Sequence, residues 1–246
     1  MGDADDDGEL SSAAVADIDL VIFDLDGTLV DTVPDIEAAL AGTLAGVGVA
    51  APPLDVVKTM VGDGARELIR RALARAGTDG DLDALFAAFL AHYRAHVSDR
   101  SVVYAGIAEV FDALDAAGIA SAVVTNKPGD IARTLLRDLG IADRFVAIVG
   151  DGDGFARKPD PAAALSLIAA RGTQPARTAV VGDGLPDVRM ARAVGARAIA
   201  AGWGYVPPDR LEAEQPSAVA KSPEEAGRLL LDGPSPRPSP RFAGRG

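Results

Sequence analysis

The sequence predicts an α/β fold: a parallel sheet covered by helices on both faces, with an all-helical segment inserted after its first strand. Three observations carry this. The run from Ile18 to Phe23, interrupted only by Asp19, reads as a buried strand and leads directly into Asp24, Asp26 and the turn signal Gly27. From about Pro34 to Ser98 apolar residues recur only at helical spacing. From Val102 onward short apolar runs alternate with helical stretches, which is the pattern of βαβ units.

Taken in order, the inserted segment shows three apolar helix faces. Ile36, Leu40, Thr43, Leu44 and Val47 form the first. Leu68, Ile69, Ala72, Leu73 and Ala76 form the second, and Leu82, Leu85, Phe86, Phe89, Leu90 and Tyr93 the third. Gly46, Gly48, Pro52, Pro53 and Gly77 punctuate them, and no strand is expected there. Downstream, a helix near Ile107 to Ala117 passes through Gly118 into a strand from Ile119 to Val124. A helix from Gly129 to Leu139, a strand from Phe145 to Val149 and a helix from Pro161 to Arg171 follow. The strand Thr178 to Val181, the helix Pro186 to Val194 and the strand Arg197 to Ala201 complete the series. The strand at Ile18 belongs to the same sheet, so the helical part is an insertion.

The 246 residues, 48% of them hydrophobic, suffice for a core domain with a substantial insertion. Aromatics make up only 4%, so the core must rest on Ala, Val, Leu and Ile. A net charge of -12 argues against nonspecific binding to nucleic acid or an anionic membrane, which needs basic surface. An anionic substrate would have to find local positive charge within the site. The absence of cysteine excludes disulfides, a thiol nucleophile and zinc-thiolate sites. No stretch approaches the roughly 18 continuous apolar residues of a membrane span. The acidic start (Asp3, Asp5, Asp6, Asp7, Glu9) is unlike a signal peptide, so the expected compartment is the cytoplasm. Residues 1–16 read as a disordered acidic leader and 233–246 as a disordered Pro/Ser/Arg tail. Residues 17–33 and 100–232 are expected to form the α/β core, with 34–99 as the inserted helical domain. No pattern in the chain points to an oligomeric state.

Parallel strands end on one edge, where open α/β sheets place their ligands. Strand ends carrying Asp24 and Asp26, Thr125-Asn126-Lys127-Pro128, and Gly182-Asp183 with Asp187 therefore converge. The loop Arg157-Lys158-Pro159-Asp160-Pro161 can reach the same edge. By residue type, Asp24, Asp26 and Asp183 offer hard oxygen ligands for Mg²⁺. A carboxylate beside a metal can attack phosphorus, and a second acid can move the proton. Thr125, Asn126 and nearby amides can hold phosphoryl oxygens while Lys158 neutralises developing charge. The competing account of Asp24 and Asp26 is a pair of solvated turn acids.

These residues resemble the four motifs of the haloacid dehalogenase superfamily: Asp24-Leu25-Asp26-Gly27-Thr28, Thr125-Asn126, Lys158-Pro159, and Gly182-Asp183 with Asp187. They stand in that family's order across residues 18 to about 230. The resemblance implies a Rossmann-like parallel-sheet core with an inserted α-helical cap domain. It implies that Asp24 is the nucleophile and metal ligand, forming an aspartyl-phosphate. Asp26 would be the general acid/base, touching the metal through its backbone carbonyl. Thr125 would bind phosphate with Asn126 beside it, Lys158 would steady nucleophile and phosphate, and Asp183 would bind Mg²⁺ with Asp187 supporting it. Gly184 departs from the usual serine after the motif aspartate.

Within the superfamily the chain is most similar to the bacterial phosphoglycolate phosphatases. That similarity runs through Asp24 to Asp35, Val61-Gly62-Asp63-Gly64-Ala65-Arg66-Glu67-Leu68 and Gly202-Trp203-Gly204-Tyr205. It implies a phosphoric monoester hydrolase acting on a small anionic ester, 2-phosphoglycolate, with Gly64 amides and Arg66 placed for the substrate. An exposed helix arginine is the plain alternative for Arg66. Other sugar-phosphate phosphatases or phosphomutases, and a catalytically silent binding protein on the same fold, are the competing functions. A dehalogenase has no need of Asp26, a mutase-type linker histidine is missing at Pro34-Asp35-Ile36-Glu37, and Lys58 lacks the context of a phosphonate hydrolase lysine. His92 and His96 read as exposed cap residues, Gly150 to Gly154 as a loop leading to Lys158, and Trp203 as packing near the rim.

Overall fold

The computed structural model describes residues 18–232. The leader and tail expected at the two ends lie outside the described residues. The chain runs β1 (Leu20–Phe23), β2 (Val30–Asp31), α1 (Val33–Ala45), α2 (Leu54–Lys58), α3 (Ala65–Ala76), α4 (Leu82–Ala95) and β3 (Val102–Val103). It continues α5 (Ile107–Ala116), β4 (Ala120–Pro128), α6 (Gly129–Asp138), β5 (Ala147–Asp151), α7 (Ala162–Arg171), β6 (Thr178–Gly182) and α8 (Leu185–Val194). β7 (Arg197–Ala201), α9 (Pro208–Ala213), β8 (Ala218–Ala220) and α10 (Pro223–Asp232) complete it. Among the described residues no helix is long and apolar enough to cross a membrane.

Six strands form one parallel sheet in the order β5-β4-β1-β6-β7-β8. Side chains alternate along β1, and both faces are buried. Val21 and Phe23 join a core cluster with Phe111 and Leu135 on one face. Leu20 and Ile22 join Ala164, Ile168 and Val188 on the other. That alternation into two apolar layers explains why β1 reads as a nearly continuous hydrophobic run. The chain builds outward from β1 to β4 and β5, then returns to lay β6 on the other side of β1. The order of connection thus reverses beside β1, where a ligand crevice opens at the carboxyl ends of the strands.

Between β2 and β3 the chain is helical, and these two short strands pair antiparallel, Val30 with Val103 and Asp31 with Val102. They form the neck through which the helical segment leaves and returns. The helices are not a separate body, because Leu40, Leu44, Ile69 and Phe89 belong to the same apolar cluster as Phe23 and Val123.

The neck is fastened by Asp35, buried in the first turn of α1. Its carboxylate accepts from Arg100 N at 3.0 Å, and from Ser101 N and Ser101 Oγ at 2.7 Å each. These bonds join the outgoing helix to the returning chain. Removing the carboxylate strands buried donors, so Asp35→Ala is expected to lower the stability of the chain by about 3 kcal/mol. Urea denaturation measures this, and a loss within experimental error would show that the neck does not depend on Asp35.

Candidate active site

Asp24 follows β1 directly and is held in line by its backbone N–H, which donates to Val181 O at 2.9 Å. Gly27 then turns the chain at φ +83°, and a side chain there would collide with the Asp183 carboxylate and the Tyr205 ring. Gly204 approaches Asp183 from the loop after β7, again with no room for a Cβ. The two glycines let backbone close around Asp183. That carboxylate accepts from Thr28 Oγ1 at 3.1 Å and from Tyr205 N at 2.7 Å.

Lys158 is buried, with Nζ 2.7 Å from both Asp24 Oδ1 and Asp187 Oδ1. Its contact to Asp187 is a directed hydrogen bond, and the other oxygen of Asp187 accepts from Gly184 N at 2.9 Å. The backbone amide of Gly184 therefore holds Asp187 without the hydroxyl that a serine would bring. Toward Asp24, Lys158 offers charge without alignment. Among the described residues, Asp24 Oδ1 is the buried side-chain atom left without a hydrogen-bond partner.

The carboxylates of Asp24, Asp183 and Asp187 lie within 4.8 Å of one another. A clustered set of buried oxygen donors, one of them orphaned, fits a divalent cation. The Asp26 carboxylate is not part of this cluster. Its Oδ1 accepts instead from Thr32 Oγ1 and Lys127 Nζ, each at 2.7 Å.

Burial raises the Asp24 carboxyl from 3.8 to about 6, with Lys158 opposing and the Asp187 charge reinforcing the rise. Burial, followed by the Asp24 charge, raises Asp183 to about 8 against the hydrogen bond from Tyr205 N–H. Burial works against the charge on Lys158, but Asp187 and Asp24 outweigh it and lift the ammonium above its ordinary range.

The expected residues do not all arrive in the expected posture. Asp24, Asp26, Thr125 and Asn126 border one cleft, with Gly64 on the cap side. Lys158, Asp183 and Asp187 border a pocket that also contains Asp24 and Asp26. Asn126 has its side-chain amide committed elsewhere. Nδ2 donates to Gly62 O at 3.0 Å and to Lys158 O at 3.3 Å, and Oδ1 accepts from Lys158 N at 2.9 Å. It thus braces the Lys158 loop against the cap, where the sequence reading placed it on phosphoryl oxygens. Arg66 is not brought to the cleft. It pairs with Asp83 at 2.6 Å and lies 4.5 Å over the Phe86 ring, as an ordinary surface helix arginine does. His92 and His96 are exposed, and His96 meets Asp99 at 2.8 Å. Trp203 donates from Nε1 to Thr28 O at 3.1 Å, fixing the rim.

Two participants carried no strong signal in the sequence. Tyr205 ties the loop after β7 to the start of the insertion, accepting from Thr32 N at 2.8 Å and donating to Asp31 at 3.1 Å. Lys127 stood beside the phosphate motif as an unremarked neighbour, and it is buried against Asp26.

A parallel sheet with a buried acid cluster at its switch point, and Lys158 set into that cluster, fits a hydrolase of anionic substrates that uses a divalent metal. Residues 21–201 match the family model described as haloacid dehalogenase-like hydrolase. A phosphoglycolate phosphatase from Agrobacterium fabrum is 42% identical over 199 residues, covering 79% of this chain and 85% of that protein. One from Rhodospirillum rubrum is 43% identical over 195 residues, covering 75% and 80%. The crystal structure of a predicted phosphoglycolate phosphatase from Haemophilus somnus matches with a TM-score of 0.81 at 27% identity, covering 87% of this chain and 98% of that one. The chain belongs to the haloacid dehalogenase-like hydrolase family.

Because Asp24 and Asp183 hold protons more tightly when folded than when unfolded, the metal-free chain loses stability as pH rises through about 6 and about 8. A divalent cation favours the ionised carboxylates and reverses this trend. The melting temperature in EDTA is therefore expected to fall between about pH 5 and pH 8, and added Mg²⁺ should raise it more at the upper pH. An equal shift at both pH values would contradict the assignment of the cluster as a cation site.

Proposed function

We propose that the chain is a Mg²⁺-dependent phosphatase of small phosphate monoesters, with 2-phosphoglycolate as its substrate. The observation that carries the reading is the orphaned Asp24 Oδ1, a buried carboxylate oxygen facing Lys158 in a cleft that the cap partly roofs. An oxygen without a directed donor keeps its lone pairs for an electrophile.

In this reading Asp24 attacks phosphorus, the bond from phosphorus to the ester oxygen breaks, and the leaving oxygen takes a proton from Asp26. Asp26 then accepts a proton from water as that water displaces Asp24 from the aspartyl-phosphate, releasing phosphate. Lys158 balances the charge that builds on the phosphoryl oxygens, and Thr125 Oγ1 with the amides of its loop holds them. Asp24, Asp183 and the Asp26 carbonyl would hold Mg²⁺, with Asp187 supporting. When bound, the ion supplies concentrated positive charge beside the phosphoryl group.

The substrate assignment rests on the cap. Gly64 caps α3 with no side-chain acceptor, and Gly64, Ala65 and Leu68 border the cleft. The unclaimed amides and positive end of that helix suit a second anionic group such as the carboxylate of 2-phosphoglycolate. Relatives bearing the name phosphoglycolate phosphatase, similar over most of the chain, support the same substrate. The net charge of -12 disfavours nucleic acid as a partner.

Hydrolysis of p-nitrophenyl phosphate is expected to need Mg²⁺, to cease with EDTA, and to fall at least about 1,000-fold in Asp24→Asn. Activity indifferent to both would sink the mechanism. In a panel of phosphate esters ranked by kcat/KM, 2-phosphoglycolate should lead, and a low rank would overturn the substrate while leaving the reaction class in place.

A further inference from the structure

Lys127 has no part in the scheme above, yet it is buried where the chemistry happens. Its Nζ donates to Asp26 Oδ1 at 2.7 Å and also to the hydroxyl of Tyr93, whose ring centroid lies 4.4 Å away. Tyr93 belongs to α4 of the cap, while Lys127 belongs to β4 of the core. Asp26 Oδ1 receives a second donor, Thr32 Oγ1 at 2.7 Å. One oxygen of Asp26 is thus held twice, and among the described residues Oδ2 carries no hydrogen bond.

A carboxyl group rotates over a broad range about its last torsion unless something holds it. Proton delivery to a leaving oxygen needs one oxygen aimed within hydrogen-bond reach. We propose that Lys127 is a positioning residue for Asp26, holding Oδ1 so that Oδ2 faces the leaving oxygen, and that Tyr93 makes this hold depend on the docked cap. Cap closure and proton delivery are then coupled through one ammonium. This rests on the reading of Asp26 as the proton carrier.

The test uses the dependence on leaving group. In the step that forms the aspartyl-phosphate, an alkoxide leaves only as it takes the proton from Asp26. A nitrophenolate keeps the electron pair on oxygen without needing one. kcat/KM reports that first step for both esters. Lys127→Met is expected to lower kcat/KM for 2-phosphoglycolate about 10- to 100-fold more than for p-nitrophenyl phosphate, a fraction of a full general-acid contribution. Tyr93→Phe should shift the ratio in the same direction by less. The ratio is taken within one preparation, so it does not depend on how much of a variant folds, and Tyr93→Phe keeps the packed ring should Lys127→Met fold poorly.

Asp26→Asn is measured alongside as reference. If it discriminates between the esters while Lys127→Met and Tyr93→Phe lower both equally, Lys127 has only a structural role and the proposal is overturned, with the role of Asp26 intact. If Asp26→Asn itself shows no discrimination, the role of Asp26 falls and the positioning proposal falls with it.

Discussion

Concentrated negative charge in a nearly dry crevice is the constraint on which the rest of this structure depends. Asp24, Asp183 and Asp187 are buried together, and Lys158 is the ammonium set among them. Adding Asp26 with its partner Lys127 leaves four acids against two ammoniums at the strand ends. A divalent cation would bring that site to neutrality, and burial is tolerated only when charges are compensated. Burial, with the neighbouring carboxylates, pushes Asp24 and Asp183 up to about 6 and about 8, and a bound cation would favour their ionised forms. Much of the surrounding architecture serves to hold these oxygens in place. Glycines at 27 and 204 admit the backbone, Thr28 and Tyr205 N–H fix Asp183, and Gly184 N–H fixes Asp187.

The cap belongs to the same balance. Asn126 donates to Gly62 O, Lys127 to Tyr93, and Arg94 meets Asp130 at 2.8 Å, so polar links join cap and core around an apolar seam. Roofing the crevice in this way lowers the local dielectric and strengthens each charge interaction beneath it. It also adds a compact positive end, the N-terminus of α3, without adding a lysine or arginine to the cleft wall. A chain with a net charge of -12 can therefore still receive an anion.

The fold was legible because its signals were redundant. The near-continuous apolar run of β1 and the strand-helix rhythm after Val102 both specify a parallel sheet, and the carboxyl edge then collects Asp24, Thr125, Lys158 and Asp183 by topology alone. What escaped was short or ambiguous in chemistry. β2 and β3 have two residues each, too few for any period to show. β4 runs on through Asn126 and Pro128, residues that read as a strand end, because a register shift between Val124 and Pro128 absorbs them. Arg66 and Asn126 show the converse. Residue type makes each a plausible anion binder, but the choice of partner is a tertiary fact: Asp83 takes the arginine, and backbone groups take the amide. Lys127 lay hidden in plain sight, since its partners are 101 and 34 residues away.

In the proposed mechanism, environment more than identity divides labour between Asp24 and Asp26. Two positions apart, they leave the same strand end with the same carboxyl chemistry. Asp24 sits in the drier place, with a neighbouring ammonium that supplies charge but no directed bond to Oδ1. Such an oxygen is electrostatically anchored yet free to form a new bond, which is what a nucleophile requires. Asp26 has one oxygen tied by two donors, an arrangement that costs it rotational freedom and leaves the other oxygen directed. A proton carrier gains from that, because it must reach one atom and then return to accept from water. Exchanging the two partner sets would give a pinned nucleophile and a loose acid, on the same two residues. On the proposed roles, the difference between the two acids resides in Lys158, Lys127 and Thr32.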